Sequence, residues 1–167
     1  TQLNGLLQEV CDELTGQGVL GIPQNDHIVI QHVSPCFLRR KQKAKDKSNS
    51  QFTKDDVRLV VNTTELSKYL KNIPTKITKP QEVYGALSRW NYIIKTDLHQ
   101  GFFQNHLNPT AYKWCAIQTP FGGMRYFKRS IQGLVGQTEE QDELLARVLH
   151  KELQAGICVK LADDIFA

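Results

Sequence analysis

Two adjacent carboxylates, Asp163 and Asp164, stand between the apolar runs Ile157–Ala162 and Ile165–Ala167. Burying either charge without a partner costs several kcal/mol. The pair therefore implies either a solvated turn, which aspartate favours, or a bound divalent cation. A third acid, Asp97, ends the run that begins at Tyr92 and precedes Gly101, Phe102, Phe103 and Gln104. Alone, an aspartate at a strand end is more often a helix cap. Carboxylates at two strand ends have a further use: they can converge on a pair of Mg²⁺ ions about 3.5–4 Å apart, the arrangement that serves in-line displacement at phosphorus. In that chemistry one ion activates the attacking hydroxyl and the other holds a triphosphate.

Phosphoryl chemistry also needs cations. Six of the nine residues in Arg39–Lys47 (RRKQKAKDK) are Lys or Arg, whereas the whole chain carries a net charge of only +4 from 21 basic and 17 acidic residues. This local density points to a polyanion, with Arg39, Arg40 and Lys43 as nucleic-acid contacts. A solvated basic loop or a targeting signal is the plainer alternative. Cys11, Cys36, Cys115 and Cys158 are scattered, with no Cys-x-x-Cys pair and no His at zinc-ligand spacing. They read as reduced, buried side chains of an intracellular protein, whether cytoplasmic or nuclear. No segment approaches the ~18 consecutive apolar residues of a membrane span, and Thr1 opens an amphipathic pattern rather than a signal peptide. The absent initiator Met and the end within an apolar run suggest a piece of a longer polypeptide.

At 167 residues and 40% hydrophobic, the chain is long enough for one sizeable core, in a single unit or a bilobed one. Leu3, Leu6, Leu7, Val10, Cys11 and Leu14 predict a first helix, stopped by Gly16 and Gly18. Ile28–Ile30 and Cys36–Arg40 are strand-like. After the polar stretch Lys43–Gln51 a strand runs through Val57–Val61, predicting a basic hairpin with a flexible, solvated tip. Pro80 opens a helix with Val83, Ala86, Leu87 and Trp90 on its apolar side. Tyr92–Thr96 is then a strand delivering Asp97. Tyr112–Thr119 and Met124–Arg129 flank the turn signal Pro120–Gly123, predicting a second hairpin. Thr138 with Gln141 has capping-box spacing and opens a helix. Its stripe is Leu144, Leu145, Val148, Leu149 and Leu153, and its end lies near Gly156. The apolar runs around Asp163 and Asp164 predict a tight hairpin with acids at its tip.

Arg58-Leu-Val-Val-Asn-Thr-Thr-Glu-Leu-Ser67, Thr96-Asp-Leu-His-Gln-Gly-Phe-Phe-Gln104, Ile131-Gln-Gly-Leu134 and Leu161-Ala-Asp-Asp164 occur in that order. Together they resemble the ordered motifs of reverse transcriptases from retroviruses and long-terminal-repeat retrotransposons. Gly18-Val-Leu and Val33-Ser-Pro-Cys-Phe-Leu38 match as well, so the resemblance spans nearly the whole chain. It implies that Asp97 and Asp163 hold two Mg²⁺ ions, for which Mn²⁺ can substitute, and that Asp164 completes the cluster. It places Lys41 and Arg58 on the incoming triphosphate, where cations neutralise developing charge. Gln132 falls beside the deoxyribose, and Phe102 lies beneath the incoming sugar, with Phe103 as the competing ring.

The resemblance further implies an α+β fold, a polymerase palm of antiparallel sheet backed by helices together with fingers, lacking a thumb. Residues 1–72 and 105–136 would form the fingers, and 73–104 and 137–167 the palm. The partners implied are a template–primer, a deoxynucleoside triphosphate, and the rest of a Pol polyprotein with its thumb and a ribonuclease H domain. Two departures stand out. The family usually has Tyr two positions before the first Asp of the acidic pair, where this chain has Leu161. The fingers strand usually continues with Asp, an aromatic and Arg, where this chain has Asn62, Thr63 and Thr64. A catalytically inactive nucleic-acid-binding remnant and an RNA-dependent RNA polymerase are the competing readings.

Overall fold

Leu6, Leu7, Cys11 and Leu14 recur at three- and four-residue spacing, and all are buried on one side of the first helix, α1 (Gln2–Gly16). Two short strands follow, β1 (Leu20–Gly21) and β2 (Val33–Ser34), and then β3 (Cys36–Arg40) and β4 (Val57–Val61). Next come α2 (Thr64–Ser67), α3 (Pro80–Leu87), β5 (Lys95–Asp97) and α4 (Gly101–Gln104). The chain continues through β6 (Ala116–Gln118), β7 (Met124–Phe127), α5 (Gln137–Val148), α6 (His150–Gln154), β8 (Val159–Leu161) and β9 (Asp164–Phe166). Short 3-10 segments cover Gln42–Ala44, Lys54–Asp56 and Pro109–Trp114. This computed structural model describes residues 2–44, 46, 52–71, 78–98, 100–120, 123–162 and 164–167, with backbone alone at Gln2 and Lys43. The chain divides into two compact units, Thr1–Leu70 with His106–Leu134, and Lys71–Asn105 with Val135–Ala167.

In the first unit a sheet of order β1-β7-β6-β2 is antiparallel except where β2 joins β6. Val19, Leu20, Ala116, Ile117, Tyr126 and Phe127 fill its core. A separate hairpin pairs β3 with β4 from Cys36↔Val61 to Arg40↔Val57. Strand alternation turns Val57 and Val61 inward, with Leu38 against the cluster of Leu6, Ala44 and Phe52. The Arg40 guanidinium lies 4.1 Å from the Phe52 ring centre. The stretch expected to be a flexible tip is thus anchored at both ends, by buried Ala44 and Phe52, while Lys45 and residues 47–51 lie outside the described residues.

Three local expectations fail here for identifiable reasons. Ile28–Ile30 is not a strand: the Ile28 amide closes a turn onto the Pro23 carbonyl, and Val29 is 79% exposed. Tyr112–Trp114 is helical rather than extended, because Pro109 opens a 3-10 segment whose Thr110 amide donates to the Asn108 side chain. Cys36 is half-buried rather than buried, and its thiol donates to the Gln118 carbonyl at 3.4 Å. The other three thiols are buried, which pushes Cys11 up to about 12 and Cys115 to about 11.

The second unit carries an antiparallel sheet of order β5-β9-β8. Val83 of α3, a helix opened by Pro80 as predicted, is buried, and α3 packs against β8. The predicted strand over Tyr92–Thr96 is shorter. It begins at Lys95, and only the mutual backbone bonds of Ile94 and Ala167 (2.7 and 3.0 Å) extend the ladder, while Tyr92 is 91% exposed. α5 departs further from expectation. Gly136, not Thr138, is its N-cap, and the inward face is Gln137, Gln141, Asp142 and Leu145, leaving Leu144 and Val148 exposed. The helix breaks at Leu149, and α6 then closes near Gly156, as predicted. Gly156 takes a positive φ of 68°, and the Ile157 amide returns to the Glu152 carbonyl at 3.0 Å, a C-terminal motif that favours glycine.

Candidate active site

The β8–β9 hairpin places Leu161 opposite Asp164, and β5 places Asp97 opposite Asp164 on the other side. Because side chains alternate, Lys95, Asp97, Asp164, Phe166, Val159 and Leu161 share one face of the sheet, and Thr96, Ile165 and Lys160 share the other. Two carboxylates directly across a ladder have Cβ atoms about 4.5–5.5 Å apart and repel unless a cation lies between or beside them. In the chain itself that cation is Lys95, whose Nζ sits 2.8 Å from Asp164 Oδ2. The bond to Asp164 raises the Lys95 pKa above its ordinary value.

Asp97 is exposed and Asp164 half-buried, so both present hard oxygen donors of the kind Mg²⁺ prefers. Among the described residues no group of three or more His, Cys, Asp or Glu gathers. Asp163, expected with Asp97 to hold the ions, lies outside the described residues. The donors that can be located fit a divalent cation in type and in facing register.

The expected phosphate-binding residues belong to the first unit. On the β3–β4 hairpin Arg39 and Arg58 are directly opposed and exposed. Among the described residues neither forms an ion pair, so the two like charges face solvent uncompensated, a juxtaposition that a bound anion relieves. Lys41 is exposed one residue beyond β3, its amide bonded to the Asp56 carbonyl at 2.8 Å, so it continues the Arg39 side of the ribbon. Arg40 is exposed on the opposite side, over Phe52. The Lys43 side chain is outside the described residues.

Gln132 is exposed in a turn closed by the Leu134 amide on the Ile131 carbonyl (3.2 Å). That turn is tied to the end of β4, since the buried Thr63 donates its hydroxyl to the Gly133 carbonyl at 2.9 Å. Thr63 is one of the sequence departures, and this bond is what it does. Phe102 and Phe103, both half-buried, sit on α4 in the second unit, so burial does not separate them. A Cβ on the preceding Gly101 would lie 2.8 Å from Gln141 Nε2, so any side chain there would oblige the Gln141 amide to shift.

Two features escape the sequence reading. Lys95 stands two residues before Asp97, and strand alternation alone would have put it on the same face. Lys160, inside an apolar run, is buried and pairs with Asp142 of α5. A lysine within an apolar strand was the available signal.

The helices and sheets of the two units define an α+β fold of the reverse transcriptase type, which bears out the expected fold class. In particular, the chain is similar to the foamy viral protease–reverse transcriptase solved in complex with double-stranded DNA, at 20% identity and a TM-score of 0.79, covering 99% of this chain and 26% of that one. It is also similar to a mutant protease–reverse transcriptase of prototype foamy virus, at 21% identity and a TM-score of 0.75, covering 99% of this chain and 20% of that one. No protein-family model matches the chain, and no curated protein does either. Among the described residues no helix is long and apolar enough to cross a membrane.

Proposed function

We propose that this chain is the reverse transcriptase domain of a retroelement Pol polyprotein, transferring nucleotides from deoxynucleoside triphosphates to a primer 3′-hydroxyl on an RNA or DNA template. The observation that carries the reading is Asp97 directly across the ladder from Asp164, on one face of a three-stranded sheet, in a fold shared with foamy viral protease–reverse transcriptases. In this reading the first unit is the fingers and the second the palm. Asp97 and Asp164, with Asp163, would hold Mg²⁺. Bound there, the metal supplies charge neutralisation and a more acidic primer hydroxyl.

The chain's own residues do the rest. Arg58 and Lys41 neutralise the triphosphate, and Arg39, Arg40 and Lys43 hold template–primer phosphates. Gln132 orients the deoxyribose, while Phe102 excludes a 2′-hydroxyl by contact. Base pairing chooses the nucleotide.

The test is primer extension with Mg²⁺ by the longest polypeptide carrying this domain, alongside its Asp97→Asn and Asp164→Asn variants. Both variants are expected to fold, by circular dichroism, and to fall to background. Near-normal extension by either overturns the reading. The Lys95 ammonium already seated on Asp164 favours a second reading, an inactive nucleic-acid-binding remnant. Duplex binding without extension by the unsubstituted protein would establish that one.

A further inference from the structure

The strand leading into the acidic turn presents the wrong face to its helix by hydrophobic pattern alone. Ile157, Val159 and Leu161 alternate with Cys158, Lys160 and Ala162. Binary patterning would turn the branched aliphatics inward and Lys160 to solvent. The structure does the reverse: Lys160 is 4% exposed, while Ile157 is 63% exposed. Lys160 donates to Oδ1 of Asp142, which is 5% exposed on α5. The neighbouring Gln141 accepts from Asn105 Nδ2 at 2.7 Å, so α5 is held by buried polar bonds on two adjacent residues.

Leu161 and Asp164 are cross-strand partners on one face, and Lys160 and Ile165 on the other. The face chosen by Lys160 therefore decides the face of Asp164. We infer that the buried Lys160–Asp142 pair is a positioning device that sets the register of the acidic hairpin, keeping Asp164 on the face of Asp97. A side-chain period of two means that a one-residue slip turns every side chain over. If β8 and β9 slip together by one residue against β5, Val159 and Leu161 gain burial, but Asp142 loses its only cationic partner among the described residues and Asp164 leaves Asp97. An unpartnered buried carboxylate makes that state unfavourable, and register selection is the best-attested use of a buried polar pair. The catalytic consequence rests on the polymerase reading; the register itself does not.

The experiment compares the 167-residue chain with the apolar double variant Lys160→Met/Asp142→Leu and the charge swap Lys160→Asp/Asp142→Lys. Register is read from cross-strand nuclear Overhauser contacts between Leu161 and Asp164 and between Thr96 and Ile165. Site integrity is read from Mn²⁺-induced broadening at Asp97 and Asp164. The double variant should fold, since apolar replacement of a buried pair is tolerated, yet show weakened or doubled contacts and Mn²⁺ affinity lower by on the order of tenfold. The swap should restore both. A single native contact set in the double variant overturns the inference. Loss of the fold in both variants does so too, by assigning the pair to general stability. Absence of Mn²⁺ broadening in the unsubstituted chain counts against the polymerase reading alone, because the contacts still report the register.

Discussion

Lys95 and Asp97 sit two residues apart on one strand face, and the ammonium of the first is bonded to the carboxylate that faces the second. A divalent ion that takes Oδ2 of Asp164 competes with that ammonium. Lys95 is 56% exposed at its side chain, so the displaced pair is weak and screened by solvent. Lys95→Met should accordingly tighten Mn²⁺ binding modestly, measured as a fall in free Mn²⁺ by electron paramagnetic resonance. Unchanged or weaker binding would mean that the ammonium does not compete. On the polymerase reading, a ring packed against the nucleotide C2′ leaves room for hydrogen but not hydroxyl. Overpacking of that kind costs about 1–3 kcal/mol, or roughly 5- to 150-fold in rate. Phe102→Val should raise ribonucleotide relative to deoxynucleotide incorporation within that range and Phe103→Val should not; equal ratios in single-nucleotide assays would remove Phe102 from the role.

Between elements, short polar bonds do work that apolar contact does elsewhere. Thr63 follows β4 and bonds the turn that carries Gln132, two segments 70 residues apart in sequence. Thr63→Val keeps the shape and removes the donor. It should cost about 1 kcal/mol, read as a lower denaturant midpoint, with Thr63→Ser largely restoring it. If Val is as stable as Thr, the bond contributes nothing. The β3–β4 hairpin shows the complementary case. Its inward side is fastened by Val57, Val61, Leu38 and Phe52, which leaves the Arg39, Arg58 and Lys41 side exposed to solvent.

At the scale of the whole chain the two units differ in what fills them. Among the described residues the buried apolar side chains of the second unit are Val83, Leu145 and Cys158, against buried Asn105, Gln137, Gln141, Asp142 and Lys160. The first unit holds the rest of the apolar core, including Tyr126 and Phe127. Apolar burial contributes about 1.5–3 kcal/mol per large side chain, and a paired buried charge contributes little net stability. The unit carrying the carboxylates should therefore open first. Amides of β8 and β9 should exchange with deuterium about tenfold or more faster than those of β6 and β7, by mass spectrometry or NMR. Equal protection would show that the buried polar bonds stabilise as well as an apolar core.

Much of this was legible locally. The period of α1, the β3–β4 and β6–β7 hairpins, Pro80 at a helix start, Gly156 at a helix end and the strand-end placement of Asp97 all follow from neighbours within a few residues. Periodicity and turn chemistry act over that distance. The order of the motifs also sufficed to expect an α+β fold of the reverse transcriptase type. What the chain's pattern could not reveal is which side of α5 and β8 turns inward. Leu144 and Val148 read as core, and Lys160 was passed over within an apolar run, because hydrophobicity was the only guide. The partners that reverse this choice lie 18 residues away for Lys160 and Asp142, and 36 for Asn105 and Gln141. A buried polar group is tolerable only when another satisfies it, and only tertiary structure brings those pairs together.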